Sequence, residues 1–327
     1  MSEYKGIKGF SIQSLSADPA DPNVGQVWFN STSGSLKLTS VTTASFATGA
    51  NRNTPSTKFN GGGGDTSAGL AYGGDNGASA NNITEEYNGT SWSGGGNLPA
   101  PRTQVNAGTA VGTQTAGICF GGFSPYLSST IEYDGSAWGS GGSMSVARTT
   151  PAGFGPQTAT VSVTGYKGPP APAQSNSTEE YDGTSWTTSG NYPGVTNNGG
   201  AAGIQTAGVC FGGSGPSPVT STANFYDGAT WTAGPSYSPA PSREGVRGLG
   251  TQTDMVSFGG GTNTNTFDGT AFTSSITSPS VIKTGAAMGT TSVALYTGGE
   301  GPTGNGTTTT LDYTGAGTIV TRTITVS

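Results

Sequence analysis

A six-residue element recurs along this 327-residue chain with little change. It reads Tyr87-Asn-Gly-Thr-Ser-Trp92, Tyr133-Asp-Gly-Ser-Ala-Trp138, Tyr181-Asp-Gly-Thr-Ser-Trp186, Tyr226-Asp-Gly-Ala-Thr-Trp231 and Phe267-Asp-Gly-Thr-Ala-Phe272. A worn sixth copy stands at Tyr313-Thr-Gly-Ala-Gly. Successive copies start 46, 48, 45, 41 and 46 residues apart. Self-similarity at such a period means a repeat architecture, in which each unit buries its apolar face only against its neighbours. Upstream of each copy lies a short apolar segment that usually ends in two glycines, such as Ile118-Cys-Phe-Gly-Gly122, Val209-Cys-Phe-Gly-Gly213 and Met255-Val-Ser-Phe-Gly-Gly260. Before most of those comes a turn of the type Gly112-Thr-Gln-Thr-Ala-Gly117.

Each unit reads as four short strands. Asn-Gly or Asp-Gly between an aromatic strand and a Trp strand is a strong hairpin signal, and the expected connection is a type I′ turn with positive φ at both central residues. No segment carries a 3.6-residue apolar period with caps, so no helix is expected. Leu, Ile, Val and Phe together supply only 48 residues while glycine supplies 58, so order has to come from repetition and from the aromatic residues. Four-stranded units near 45 residues form a ring of blades, a β-propeller. Six full units fit between residues 51 and 327. The segment from Trp28 to Lys37 imitates the last hairpin of a blade and keeps seven blades open as the alternative. The expected layout is an N-terminal hairpin arm over residues 1–45 and a six-bladed propeller over 46–327.

Composition removes several functions. The chain has no histidine, so His-dependent triads and His-ligated metals are excluded. Twelve scattered cations against 18 acidic residues make a poor phosphate-backbone binder, so no nucleic-acid partner is expected. No apolar run approaches the length of a membrane span, and the start from Met1 to Ile7 lacks the apolar stretch of a signal peptide. No metal, cofactor or catalytic residue is assigned. Cys119 and Cys210 occupy the same place in repeats two blades apart, too far for a disulfide, so both should be buried free thiols. The adjacent Glu85-Glu86 and Glu179-Glu180 point to opposite faces of a strand, which does not suit the convergent carboxylates of a glycosidase. The repeated Tyr and Trp side chains are expected to pack between blades.

The glycine pair followed by Tyr and then Trp, at this period, resembles the kelch repeat. The resemblance covers about residues 51 to 327 and departs from common kelch in having only four residues between Tyr and Trp. Within that pattern, the wording Glu179-Glu-Tyr-Asp-Gly-Thr-Ser-Trp186 with Gln205-Thr-Ala-Gly-Val-Cys-Phe-Gly-Gly213 is similar to kelch-like structural proteins of tailed phages of aquatic bacteria. The hairpin from Val24 to Leu38 likewise resembles hairpins near the N-termini of phage tail and fibre proteins. Copper oxidases that share kelch architecture need histidine ligands, so nothing of their chemistry carries over.

Two sets of side chains stand out as candidates for binding. Arg52, Arg102, Arg148, Arg243 and Lys283 fall just before the first strand of their repeats and are expected to form a broken cationic ring, which either pairs with neighbouring strands or binds an anion. The loops between strands 2 and 3 vary in length and content, and variable loops on a rigid scaffold are where binding usually resides. Phe123 and Tyr166 align directly after their glycine pairs, and Tyr126 lies in the same loop as Phe123. Exposed aromatics there would suit glycan stacking. The expected function is therefore that of a non-enzymatic virion structural protein in a tail fibre, spike or other appendage. Its arm would attach to other virion proteins, in multiple copies per particle, and its loops would meet a partner or a host-surface glycan. A lectin-like carbohydrate-binding module is the alternative, and a propeller glycosidase the third reading.

Overall fold

The computed structural model describes residues 12–41, 43–58, 61–106, 111–123, 125–169, 173–215, 221–237, 245–281, 283–301, 304–317 and 319–324. These residues form strands, turns and loops, with no helix among them. The strands fall into seven four-stranded sheets, and the chain divides into two compact units: Phe46–Tyr313, and Met1–Ser45 together with Thr314–Ser327.

The larger unit is a six-bladed β-propeller. Five blades take their strands in simple order from one stretch of chain. Blade 1, for example, runs Gly61–Gly64, Gly69–Tyr72, Thr84–Tyr87 and Trp92–Gly94, each strand antiparallel to the last. The innermost strands carry mostly Gly and Ala, as in Gly200–Ile204 and Ala286–Gly289, because six strands converging on one axis leave little room for side chains. Each contacts the next around the axis, and Ala286–Gly289 of the last blade returns onto Gly61–Gly64 of the first.

Blade 6 closes the ring differently from expectation. Its first three strands are Ala286–Gly289, Val293–Thr297 and Thr310–Thr314, but its outermost strand is Ser45–Thr48 from the N-terminal side. The worn sixth repeat lacks a Trp because Phe46 of this closing strand takes the place, its ring 5.3 Å from that of Tyr313. The propeller therefore does not extend to residue 327. The C-terminal strand Ile319–Ile324 leaves it and pairs with Ser35–Val41 in the smaller unit.

The smaller unit is the seventh sheet, and it is not a blade. Its order is Gln13–Leu15, Val27–Asn30, Ser35–Val41, Ile319–Ile324, and the first pair is parallel. The hairpin read around Trp28 is present, with Val27 opposite Leu38. Trp28 is fully buried, and its indole N–H donates to Asp18 Oδ1 at 2.9 Å, as does the Asn30 amide at 2.7 Å.

Three polar contacts repeat between neighbouring blades, two donated by the Tyr and Trp of the six-residue element and the third by the glutamine of the first turn. The strand-3 Tyr of one blade donates to a Glu on strand 3 of the blade before: Tyr181 to Glu132 at 2.7 Å, Tyr226 to Glu180 at 2.6 Å, and likewise Tyr133 to Glu86. The strand-4 Trp donates its indole N–H to a threonine hydroxyl of the blade before: Trp138 to Thr84, Trp186 to Thr130 and Trp231 to Thr178, all within 2.8–2.9 Å. The glutamine of the first turn bonds the preceding blade's backbone carbonyls, as Gln114 does to Gly69 and Tyr87 and Gln252 to Gly208 and Tyr226. Burial, then the neighbouring Glu, pushes the hydroxyls of Tyr133 and Tyr181 up to about 12.

The junction of blades 4 and 5 replaces both side-chain pairs at once. Phe225 and Phe267 stand where Glu and Tyr stand elsewhere, with ring centroids 6.0 Å apart, and Phe272 and Ala223 replace Trp and Thr in the same apolar cluster. Removing both partners of a polar pair leaves nothing unsatisfied, whereas removing one does. Phe225→Glu alone is therefore expected to destabilise the protein by about 1–3 kcal/mol, and Phe225→Glu with Phe267→Tyr to recover more than half of the loss, measured by thermal unfolding of both variants. Failure of the second substitution to rescue the first would show that the Tyr–Glu contact does not hold blades together. Closure makes a second prediction. A chain cut to residues 44–315 should melt within a few degrees of the full chain. One cut to 50–315 loses Phe46 and the outer strand and should melt on the order of 10 °C lower.

Candidate functional site

Strand direction sorts the connections onto two ends of the propeller. The 2–3 loops lie at one end with the connections between blades, and the 1–2 and 3–4 turns lie at the other.

The 3–4 turns are built by their Asp or Asn. The pair Tyr87 and Trp92 closes a four-residue loop, so the expected two-residue type I′ turn is not formed. Positive φ falls on the glycine alone, as at Gly183 with φ 91°. The carboxylate does the remaining work: Asp182 Oδ1 accepts the amides of Thr184 and Ser185 at 2.8 Å, and Asp134, Asp227 and Asp268 repeat the arrangement. These bonds fall mostly on Oδ1 and tie the carboxylate to its own turn. On the same side a cavity of about 340 Å³ opens among the inner strands of blades 3 to 6, lined by five glycines together with residues that include Phe154, Thr251 and Asp254.

The described arginines of the expected ring do not form a cationic surface. Arg102 and Arg148 are equivalent in register, Arg52 lies four residues earlier and Lys283 one later. Arg243 lies outside the described residues. The three described guanidinium groups turn inward. Arg52 is buried against Glu85 with Nε–Oε2 at 2.7 Å, and Arg148 is buried against Glu179 and the carbonyls of Thr164 and Ser177. Arg102 bonds the carbonyl and hydroxyl of Ser129. Burial without a partner would be costly for a guanidinium, and each finds its partner on strand 3 or its approach. Lys283 is half-buried, its carbonyl accepting the Glu300 amide at 3.0 Å. The first glutamate of each adjacent pair is thus spent on an arginine and the second on a tyrosine of the next blade. No strand-3 glutamate faces another across a cleft. Cys119 and Cys210 are buried free thiols, and burial pushes them up to about 11 and about 12.

The aromatic candidates come together. Phe123 and Tyr126 from the 2–3 loop of blade 2 meet edge to face, with centroids 5.4 Å apart at 79°. Tyr126 continues to Tyr166 of the blade 3 loop at 6.0 Å and 39°. Phe123 is 41 % exposed, and both tyrosines are half-buried. Backbone pairing fixes two of them. Phe123 N–H donates to the Thr103 carbonyl, and Tyr166 exchanges two bonds with Thr149, all at 2.8 Å. Tyr126 crosses to the neighbouring loop because Gly168 lies under it: a Cβ there would stand 2.7 Å from the ring. In blade 1, at the position equivalent to Phe123, Asp75 pairs with Lys58 at 3.0 Å. Gln104 and Thr150 complete a chain of backbone bonds from blade to blade, Gln104 N–H to the Lys58 carbonyl at 2.9 Å and Thr150 N–H to the Gln104 carbonyl at 2.7 Å.

The chain matches no protein-family model, and no curated protein is similar to it at a significant level. Among the described residues no group of three or more Cys, Asp and Glu is placed to hold a metal ion. No helix of the described residues is long and apolar enough to cross a membrane.

The turn carboxylates carry a pH prediction. The amides of Ser185 and Thr184 push Asp182 down to about 2, and the Thr270 hydroxyl with the amides of Ala271 and Thr270 does the same for Asp268. Asp134 and Asp227 are lowered by the amides of Ala137 and Thr230. A folded-state value below the unfolded one means stability that is present above about pH 4 and is lost as pH falls toward about 2. Asn88 of blade 1 accepts the equivalent amides without titrating. Replacing all four Asp by Asn should lower the melting temperature slightly at neutral pH, where the charged carboxylates stabilise the turns, and flatten its fall between about pH 4 and pH 2. An unchanged acid profile would mean that other carboxylates govern acid unfolding.

Proposed function

We propose that this chain is a non-enzymatic structural protein of a tailed-phage particle, carried on an appendage and presenting the 2–3 loop end of its propeller to a partner or host surface. The observation that carries the reading is the aromatic cluster of Phe123, Tyr126 and Tyr166, held across two blades of a rigid ring by paired backbone. A ring whose blades interlock through repeated side-chain bonds suits a particle component that must keep its shape outside the cell. The resemblance of the repeats to kelch-like phage proteins supports the particle assignment. The small unit, which joins residues 13–41 to the C-terminal strand, is the attachment element in this reading, and other virion proteins are its partners. A free carbohydrate-binding module is the second reading, favoured by the exposure of Phe123.

Purified particles decide between the two. Mass spectrometry should find the protein in fixed stoichiometry, in multiple copies, and immunogold labelling should place it on an appendage. A protein present only in the soluble fraction of the lysate would overturn the particle assignment.

A further inference from the structure

We propose that Phe123, Tyr126 and Tyr166 form a stacking platform for a neutral saccharide. The proposal rests on the reading of the 2–3 loop end as the recognition end.

The repeat itself shows that these aromatics are not there to build the fold. The position after the glycine pair, which is Thr164-Gly165 in blade 3, is Phe123 in blade 2 and Tyr166 in blade 3. In blades 1, 4, 5 and 6 it is Asp75, Ser214, Gly261 and Glu300. The same backbone bridge forms at Asp75 and at Ser214 as at Phe123 and Tyr166. The fold accepts an acid, a hydroxyl or no side chain there, yet two adjacent blades place a ring at this site. Tyr126, between them, makes the surface continuous.

The chemistry of the patch selects its ligand. A pyranose offers an apolar C–H face and a rim of hydroxyls, and aromatic rings beside polar side chains match both. Here the neighbouring blade carries the Lys58–Asp75 pair at the equivalent loop position, and Gln174 pairs its backbone with Tyr166. An extended peptide would need an open backbone edge, but Phe123 and Tyr166 already have theirs paired with Thr103 and Thr149. A polyanionic glycan would need exposed cations. Arg52, Arg102 and Arg148 are turned inward, and the exposed Lys58 shares its charge with Asp75. One further lysine, Lys167 next to Tyr166, is too little for a polyanion, and a neutral saccharide fits the rings better.

The test uses the full chain and a glycan array with neutral and with sulfated or sialylated oligosaccharides, followed by titration of the best neutral binder by saturation-transfer NMR. Phe123→Ser and Tyr166→Ser install the residue that blade 4 already carries, and Tyr126→Ser completes the set. Each single change should weaken binding by about tenfold, and the triple variant should abolish it with little change in melting temperature. Wild-type protein that binds only anionic glycans, only peptides, or nothing on the array overturns the proposal. So does a triple variant that is folded and binds unchanged. Incorporation of the triple variant into particles is scored separately. Normal incorporation with lost binding supports both readings. Binding by a protein absent from particles keeps the saccharide site and removes the particle assignment.

Discussion

The structure depends on contacts that each blade makes with the blade before it. A four-stranded unit of this composition has too few aliphatic side chains to form a core of its own. Its Tyr and Trp therefore do two tasks at once. They stack on each other within the blade, as Tyr133 does on Trp138 at 5.0 Å, and they reach back to the preceding blade through a hydroxyl and an indole N–H. Trp138 also packs edge to face on Tyr72 of the first blade, and Trp186 on Phe120 of the second. Dispersion, burial and directional bonds thus act at the same surface. The bonds add register, because a hydroxyl finds its carboxylate at only one relative height of two blades. A ring assembled this way has no tolerance for a missing neighbour, which explains why the last blade borrows a strand from the other end of the chain.

Much of this was legible in the sequence. The period, the Gly-Gly pairs and the Asp-Gly turns gave four strands per unit and the interblade role of Tyr and Trp. What escaped was whatever lacked a repeated partner. Ser45–Thr48 belongs to blade 6, but a four-residue strand with one aromatic, Phe46, 267 positions before Tyr313 carries no local signal. The role of Gln114 and its counterparts was visible as a recurring residue but not as a contact, since the atoms it binds are backbone carbonyls of another repeat. The turn type was misread because Asp can serve a turn in two ways. It tolerates positive φ, and it also accepts amides two and three residues on; the second holds here.

The arginines were expected to form a ring that either pairs with neighbouring strands or binds an anion, and the described ones pair. Position along the chain fixes where a Cα lies, not where a long side chain ends. Arg52 and Arg148 sit at different offsets from their strands, and both nonetheless reach the first glutamate of Thr-Glu-Glu-Tyr, because a buried carboxylate at that point requires a cation. The sequence held the evidence on the other side of the pair: Glu85 and Glu179 repeat, and a repeated acid on an inward-facing strand position implies a buried partner.

The loop aromatics show the converse. In a repeat protein each blade is a control for the others. A residue that recurs, such as the strand-4 Trp, answers to the fold, and its role is found by asking what the neighbouring blade offers. A residue that breaks the repeat without a matching change next to it answers to something else. Phe225 and Phe267 break the pattern together and are explained by each other. Phe123, Tyr126 and Tyr166 also touch one another, yet no polar pair was exchanged for them, and Phe123 stays exposed. Packing buried strand-2 and strand-3 aromatics of the propeller such as Phe120 and Tyr181, but not this ring. An apolar group left in water at a position where other blades carry Asp, Ser or Glu costs solubility beyond what its contact with Tyr126 returns, and the proposed saccharide platform rests on that imbalance.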